Sequence, residues 1–203
     1  MKHNNTLEIL NITGNNISCN GVKALASALE CNTSLTSFTL FNTNINVAGA
    51  KALADMLIKN KTLRTLNISD NMNIGNSGVM KLAQALKINN TLETLNISAI
   101  NMNDVGITAL EDMLKVNISL IEIISYNNII LDKSIIKVIQ KLLSDNDKIK
   151  KIKKTFITIM LCQENLPLKL RLPSFTVKRI AISMYMDIHV FDEIIKKYMT
   201  LIY

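Results

Sequence analysis

Apolar residues return in one fixed order along residues 6–146. Aligning TLEILNIT, SLTSFTLF, TLRTLNIS, TLETLNIS and SLIEIISY places their leading leucines at Leu7, Leu35, Leu63, Leu92 and Leu120, in steps of 28, 28, 29 and 28. Each block reads LxxLxL or a near variant, such as Leu35, Phe38, Leu40 or Leu63, Leu66, Ile68. Spacing of that kind predicts a short strand with its leucines on the buried side. An isoleucine or methionine follows (Ile17, Ile45, Ile74, Met102, Ile130), then a glycine (Gly21, Gly49, Gly78, Gly106) that gives way to Ser134 in the fifth unit. A stripe at helical spacing closes each unit: Ala24, Leu25, Ala28, Leu29, then Ala52, Leu53, Met56, Leu57, then Leu82, Ala85, Leu86, then Ala109, Leu110, Met113, Leu114. The third unit carries one extra residue, within Asn71–Ile74.

Neither a lone short strand nor a lone amphipathic helix can bury its apolar side. Stacked copies can, by facing strand leucines against helix stripes in a continuous core. On these residues the chain resembles the leucine-rich repeat family, in its ribonuclease-inhibitor-like subtype of 28-residue repeats. The resemblance implies an α/β solenoid with a curved parallel sheet inside and helices outside. It further implies a structural asparagine ladder, matched by Asn15, Asn71 and Asn128, with Thr43 and Ile100 standing where the second and fourth asparagines are expected. Function in this family is protein binding, and the expected partner is a protein of unknown identity.

The intervening strand positions point away from the core. They are mostly small and uncharged, with Phe41 and Tyr126 as the aromatics of that face. Interface anchors favour Tyr, Trp and Arg in desolvated pockets, so Phe41, Arg64 and Tyr126 are the candidate partner-binding residues, joined by Glu93 and Glu122. The competing reading is ordinary surface, because single exposed aromatics need no function. Five strands at about 4.8 Å spacing span only about 20 Å, room for one modest interface.

Composition adds one suggestion and then withdraws it. The formal charge is +7, which invites nucleic acid or an anionic membrane. Residues 1–146 hold 12 Lys/Arg against 11 Asp/Glu, whereas residues 147–203 hold 11 against 5. The excess therefore sits in the tail, and nucleic acid is disfavoured as a partner of the repeat body. Two units follow: a solenoid over 1–147 and a basic, mainly helical cap over 148–203. In the run IKKIKK, Ile149 and Ile152 keep the LxxL spacing of a degenerate sixth strand, with lysines that discourage further pairing. Segments FTVKRIAISMYM and 188–202 read as helices of the cap.

No apolar run reaches the roughly 18 residues of a membrane helix. The three cysteines, Cys19, Cys31 and Cys162, are widely spaced, and His3 and His189 stand apart from any carboxylate cluster. No metal site, cofactor or catalytic set is expected, and the chain does not read as an enzyme. Asn-x-Ser/Thr triplets at Asn4, Asn11, Asn32, Asn60, Asn67, Asn89, Asn96 and Asn117 read as by-products of a repeat that reuses these residues. The opening MKHNNTLEILN lacks a signal core, so a cytoplasmic setting is expected, or a host cytosol for an exported effector. With little sequence before Leu7, the first strand would offer an open edge, consistent with a fragment of a longer array or with edge-to-edge self-association. The alternative functional class is a ubiquitin-ligase substrate adaptor or host-directed effector, because LPLKLRLPSFTVKRIAISMYM faintly resembles an F-box opening. A GTPase-activating role, suggested by the Ran activator of the same subtype, lacks a matching polar rim.

Overall fold

The computed structural model describes residues 4–129 and 133–164. Strands and helices alternate: β1 (Ile9–Asn11), α1 (Ser18–Leu29), β2 (Ser37–Thr39), α2 (Val47–Lys59), β3 (Thr65–Asn67), α3 (Gly75–Leu86), β4 (Thr94–Asn96), α4 (Asp104–Leu114), β5 (Glu122–Ile124) and α5 (Lys133–Glu164). The five strands pair in parallel in chain order, and Leu10, Phe38, Leu66, Leu95 and Ile123 lie in one register. That register is the sequence repeat itself. The chain divides into two compact units, Met1–Asp147 and Lys148–Tyr203.

Burial explains the pattern. In the central repeats the strand residues Leu35, Phe38, Leu40, Leu63, Leu66, Ile68, Leu92, Leu95 and Ile97 are sealed from solvent, as are Leu53, Met56, Leu57, Leu82 and Leu86 from the helices. The helix face is shifted from the stripe expected by eye. Val22, Ala50, Val79 and Ile107, one residue past the glycine, are buried in α1 to α4, while Ala24 is exposed and Ala52 half-buried. The glycine is needed for proximity. A Cβ on Gly78 would meet Ile74 Cγ2 at 2.5 Å and Ala50 Cβ at 3.0 Å, so the first helical turn could not sit against the loop and the preceding helix.

A row of asparagines at the helix-to-strand turns joins one repeat to the next. Asn60 Nδ2 donates to the carbonyls of Leu29 (2.8 Å) and Asn32 (3.2 Å), both one repeat back. Its Oδ1 accepts from the N–H groups of Thr62 (2.9 Å) and Leu63 (2.8 Å), closing its own turn. Asn89 repeats this with Leu57, Asn60, Thr91 and Leu92, and Asn117 with Leu86, Asn89, Ser119 and Leu120. Asn32 donates to the Asn4 carbonyl and accepts from Ser34 and Leu35. The Ser/Thr two residues on adds a bond to the same preceding carbonyl, as from Thr62 Oγ1 to Asn32 O (3.1 Å).

The fifth unit shows what the turn requires. Asn146 still donates to the carbonyls of Asn117 (2.9 Å) and Leu120 (2.8 Å). Lys148 replaces the Ser/Thr and Ile149 the leucine, and α5 runs through to Glu164. The run IKKIKK is thus helical, and the sixth strand is not formed. Without a side-chain hydroxyl to anchor the second turn residue, continued i to i−4 bonding wins. The helices expected over 175–186 and 188–202, and Cys162's side chain, lie outside what the structure describes, as does the F-box-like segment.

The loops after the strands hold the second asparagine row. Asn71 Nδ2 donates to the Leu40 and Ile68 carbonyls (2.9 Å each), and its Oδ1 accepts from Thr43 (3.1 Å) and Ile45 (2.8 Å). Asn128 treats Ile97, Ile100 and Met102 in the same way. Asn15 bonds only locally, to Ile12 and Thr13. Where Ile100 supplies no side-chain amide, Ile74 N–H donates to Asn71 O within the third loop, as Ile17 N–H does to Asn15 O in the first, and Gly75 N–H reaches Ile100 O in the next repeat. Each loop also begins with a left-handed residue: Gly14, Asn42, Asp70, Ala99 and Asn127.

Two stability outcomes follow. Leu66→Ala empties a sealed site at the sheet centre and should cost about 2–5 kcal/mol in urea unfolding. Ala99 holds φ of +50° with a Cβ; Ala99→Asn, the residue used at Asn42 and Asn127, should raise stability by about 0.5–1 kcal/mol, read as a higher urea midpoint with unchanged slope.

Candidate protein-binding face

The outward strand positions form rows, one residue per repeat. Glu8, Thr36, Arg64, Glu93 and Ile121 stand where each strand begins. Ile9, Ser37, Thr65, Thr94 and Glu122 come next, and Thr13, Phe41, Ser69, Ser98 and Tyr126 close the face just past the strand ends. The sequence candidates therefore fall at opposite ends of the strands. Arg64, Glu93 and Glu122 lie at the strand starts, and Phe41 and Tyr126 at the strand ends.

The polar group is already engaged. Arg64 Nη1 reaches Glu93 Oε1 at 3.4 Å and donates to the Thr91 carbonyl at 3.2 Å. Glu122 Oε2 accepts from Thr94 Oγ1 at 3.3 Å. These contacts cross neighbouring strands, so the rod of the repeat sets the charges in register. Much of the remaining face is closed on itself: Asn67 Oδ1 accepts from Ser69 N–H and Oγ, and Asn96 Oδ1 from Ser98 N–H.

The apolar group is open. Tyr126 is 75% exposed and Phe41 38%. They share a row three repeats apart, about 14 Å at strand spacing. Tyr126 N–H donates to Ser98 Oγ at 3.1 Å, which ties the turn carrying the ring to its neighbour. Ile9 adds exposed apolar surface at the β1 edge.

One element of this face was not anticipated. Residues Asn42, Asn44, Asp70, Met72 and Asn73 line a shallow cleft of about 320 Å³ beyond the ends of β2 and β3. Met72, 64% exposed, projects from the segment lengthened by the extra residue. The 29-residue step was the sequence signal, though it could not say which way the added residue would turn.

The helical side is different in kind. Lys51 pairs with Asp55 (3.0 Å), Lys59 with Glu30 (2.8 Å), and Lys115 with Glu111 (3.2 Å) and Asp112 (2.8 Å). Hydrogen bonding to Glu30, and then its charge, raises the Lys59 pKa, while Lys115 lowers that of Asp112. Exposed pairs of this kind contribute little and leave a solvated surface. Among the described residues, no group of three or more His, Cys, Asp or Glu could hold a metal ion, and no helix is long and apolar enough to cross a membrane.

A family model described as "Leucine Rich repeat" matches residues 3–26, 31–54 and 59–83, in phase with the first three strand-and-helix units. Residues 3–83 carry leucine-rich repeats. The fold is of the ribonuclease-inhibitor-like type. Among solved structures it is similar to leiomodin-1 actin-binding site 2, with 25% identity and a TM-score of 0.73 over 78% of this chain and 91% of that one. It also resembles the tropomodulin C-terminal domain of Caenorhabditis elegans, with 16% identity and a TM-score of 0.63 over 75% of this chain and 91% of that one. No curated protein matches by sequence. Such repeats serve as binding scaffolds.

Because the Arg64–Glu93 pair is exposed, Arg64→Ala should change stability by less than about 1 kcal/mol. Thermal melts of wild type and variant check this; a larger loss would assign Arg64 to folding and disqualify it as a probe of binding.

Proposed function

We propose that this leucine-rich repeat protein is a non-enzymatic scaffold that binds a partner protein on its strand face and the loops beyond the strand ends. Phe41 and Tyr126 anchor the partner, Met72 extends the apolar contact, and Arg64, Glu93 and Glu122 set its polar register. The observation that carries the reading is the pair of exposed rings in one row of a rigid sheet. A rigid ring loses little conformational freedom on docking and removes much apolar area from water. Residues 148–203 are assigned to a separate, basic unit. Self-association through the free side of β1 is the competing protein contact, and concentration-dependent sedimentation abolished by Leu10→Glu would favour it.

A specific partner is suggested by the likeness to leiomodin-1 actin-binding site 2. We therefore place actin first among candidates. The test is co-sedimentation and fluorescence titration with actin, beside affinity capture from lysate, using wild type and the triple variant Phe41→Ala, Arg64→Ala, Tyr126→Ala. Loss of two anchors at about 2 kcal/mol each should weaken binding by about 1000-fold. Undiminished binding by a folded triple variant removes the strand face from the proposal, whereas capture of another protein with actin inert removes actin alone.

A further inference from the structure

The Asn-x-Ser/Thr triplets are acceptor sequences for N-linked glycans, and the fold divides them sharply. Asn32, Asn60, Asn89 and Asn117 are 2–4% exposed and belong to the turn row that joins repeats. Asn4, Asn11 and the further triplet at Asn16 are exposed, and Asn67 and Asn96 are half-buried on the strand face.

Chemistry sets the two groups apart. Glycan transfer joins Nδ2 to the anomeric carbon of the sugar, breaks that carbon's bond to a lipid diphosphate, and releases one amide proton. A glycosylated asparagine therefore keeps one N–H. Asn60, Asn89 and Asn117 each use Nδ2 twice, on two carbonyls of the preceding repeat. One carbonyl would lose its donor inside the protein, and the sugar would occupy the space of the adjoining repeat. The third residue of the triplet is committed as well: the hydroxyls of Ser34, Thr62, Thr91 and Ser119 point to the carbonyls of Asn4, Asn32, Asn60 and Asn89 at 3.1–3.5 Å.

We infer that these four triplets are the stacking device of the solenoid and that N-glycosylation at any of them is incompatible with the folded state. The chain can reach its working form only where lipid-linked glycan transfer does not act on it before folding. Sugar at Asn4, Asn11 or Asn16 is compatible with the fold, and sugar at Asn67 or Asn96 would cover the strand face without breaking the stack.

The full chain behind a cleavable secretory leader is expressed in eukaryotic cells, with and without an inhibitor of lipid-linked oligosaccharide assembly. Trypsin-resistant and trypsin-sensitive fractions are then mapped for site occupancy by mass spectrometry. The folded fraction should be bare at Asn32, Asn60, Asn89 and Asn117, with any sugar confined to the other sites, and the inhibitor should enlarge it several-fold. Sugar at any of the four in the folded fraction overturns the inference. If secretion yields no folded fraction under either condition, the decision passes to protein made in a bacterial cytosol. There Asn60→Asp keeps the acceptor and removes both donors, and should lower the melting midpoint by several degrees, while Asn16→Asp leaves it unchanged. Equal midpoints for Asn60→Asp and wild type overturn the inference.

Discussion

Everything in this solenoid rests on the side-chain amide at the end of each helix. Stacking repeats buries not only leucines but also the last carbonyls of the helices, such as Leu57 and Leu86, which have no partner within their own helix. Burial without a donor would cost about 1–3 kcal/mol per group. The asparagine of the next repeat supplies that donor, while its oxygen accepts two N–H groups of the turn that leads into the next strand. One residue thus ends a helix, starts a strand and locks two repeats together. Apolar packing drives the stack, but by itself it tolerates sliding; two amide hydrogens on two fixed carbonyls do not.

The same requirement accounts for the departures from regularity. Asn146 still reaches back to Asn117 and Leu120, so the fifth unit stays attached. Its turn lacks the hydroxyl and the leucine that would complete it, and the helix continues. On the opposite edge, the loop row skips at Thr43 and Ile100. Thr43 supplies a hydroxyl to the Leu40 carbonyl instead, and in the loops ahead of Thr43 and Ile100 the isoleucine N–H turns to a backbone carbonyl of its own loop, Asn15 O or Asn71 O. A lost side-chain amide is answered by a shorter polar group or by a backbone carbonyl.

These facts explain what a single sequence could disclose. Strand centres and register were legible because leucine spacing is a local signal with one packing solution. The burial of Val22, Ala50 and Val79 was less so, since they sit one turn before the stripe of alanines and leucines that the eye picks out. The turn asparagines were misjudged as incidental because their partners lie one repeat earlier. A triplet such as Asn60-Lys61-Thr62 looks like a local motif, yet half of its bonds end on Leu29 and Asn32. The lysine run fails for the reverse reason: Ile149 and Ile152 satisfy the strand spacing, and the missing turn chemistry upstream overrules it.

The binding face is the part least fixed by the fold, and that follows from the same logic. Positions that must stack are specified twice, by packing and by hydrogen bonds, whereas outward strand positions are specified by neither. Where Asn67 and Asn96 stand on that face, their oxygens are spent on their own turns, and the charges of Arg64 and Glu93 meet each other. Under the proposed function, recognition falls to groups with surface to lose, namely Phe41, Tyr126 and Met72. All three lie past the strand ends, where the left-handed residue of each loop turns the chain outward and leaves a side chain standing clear of the sheet.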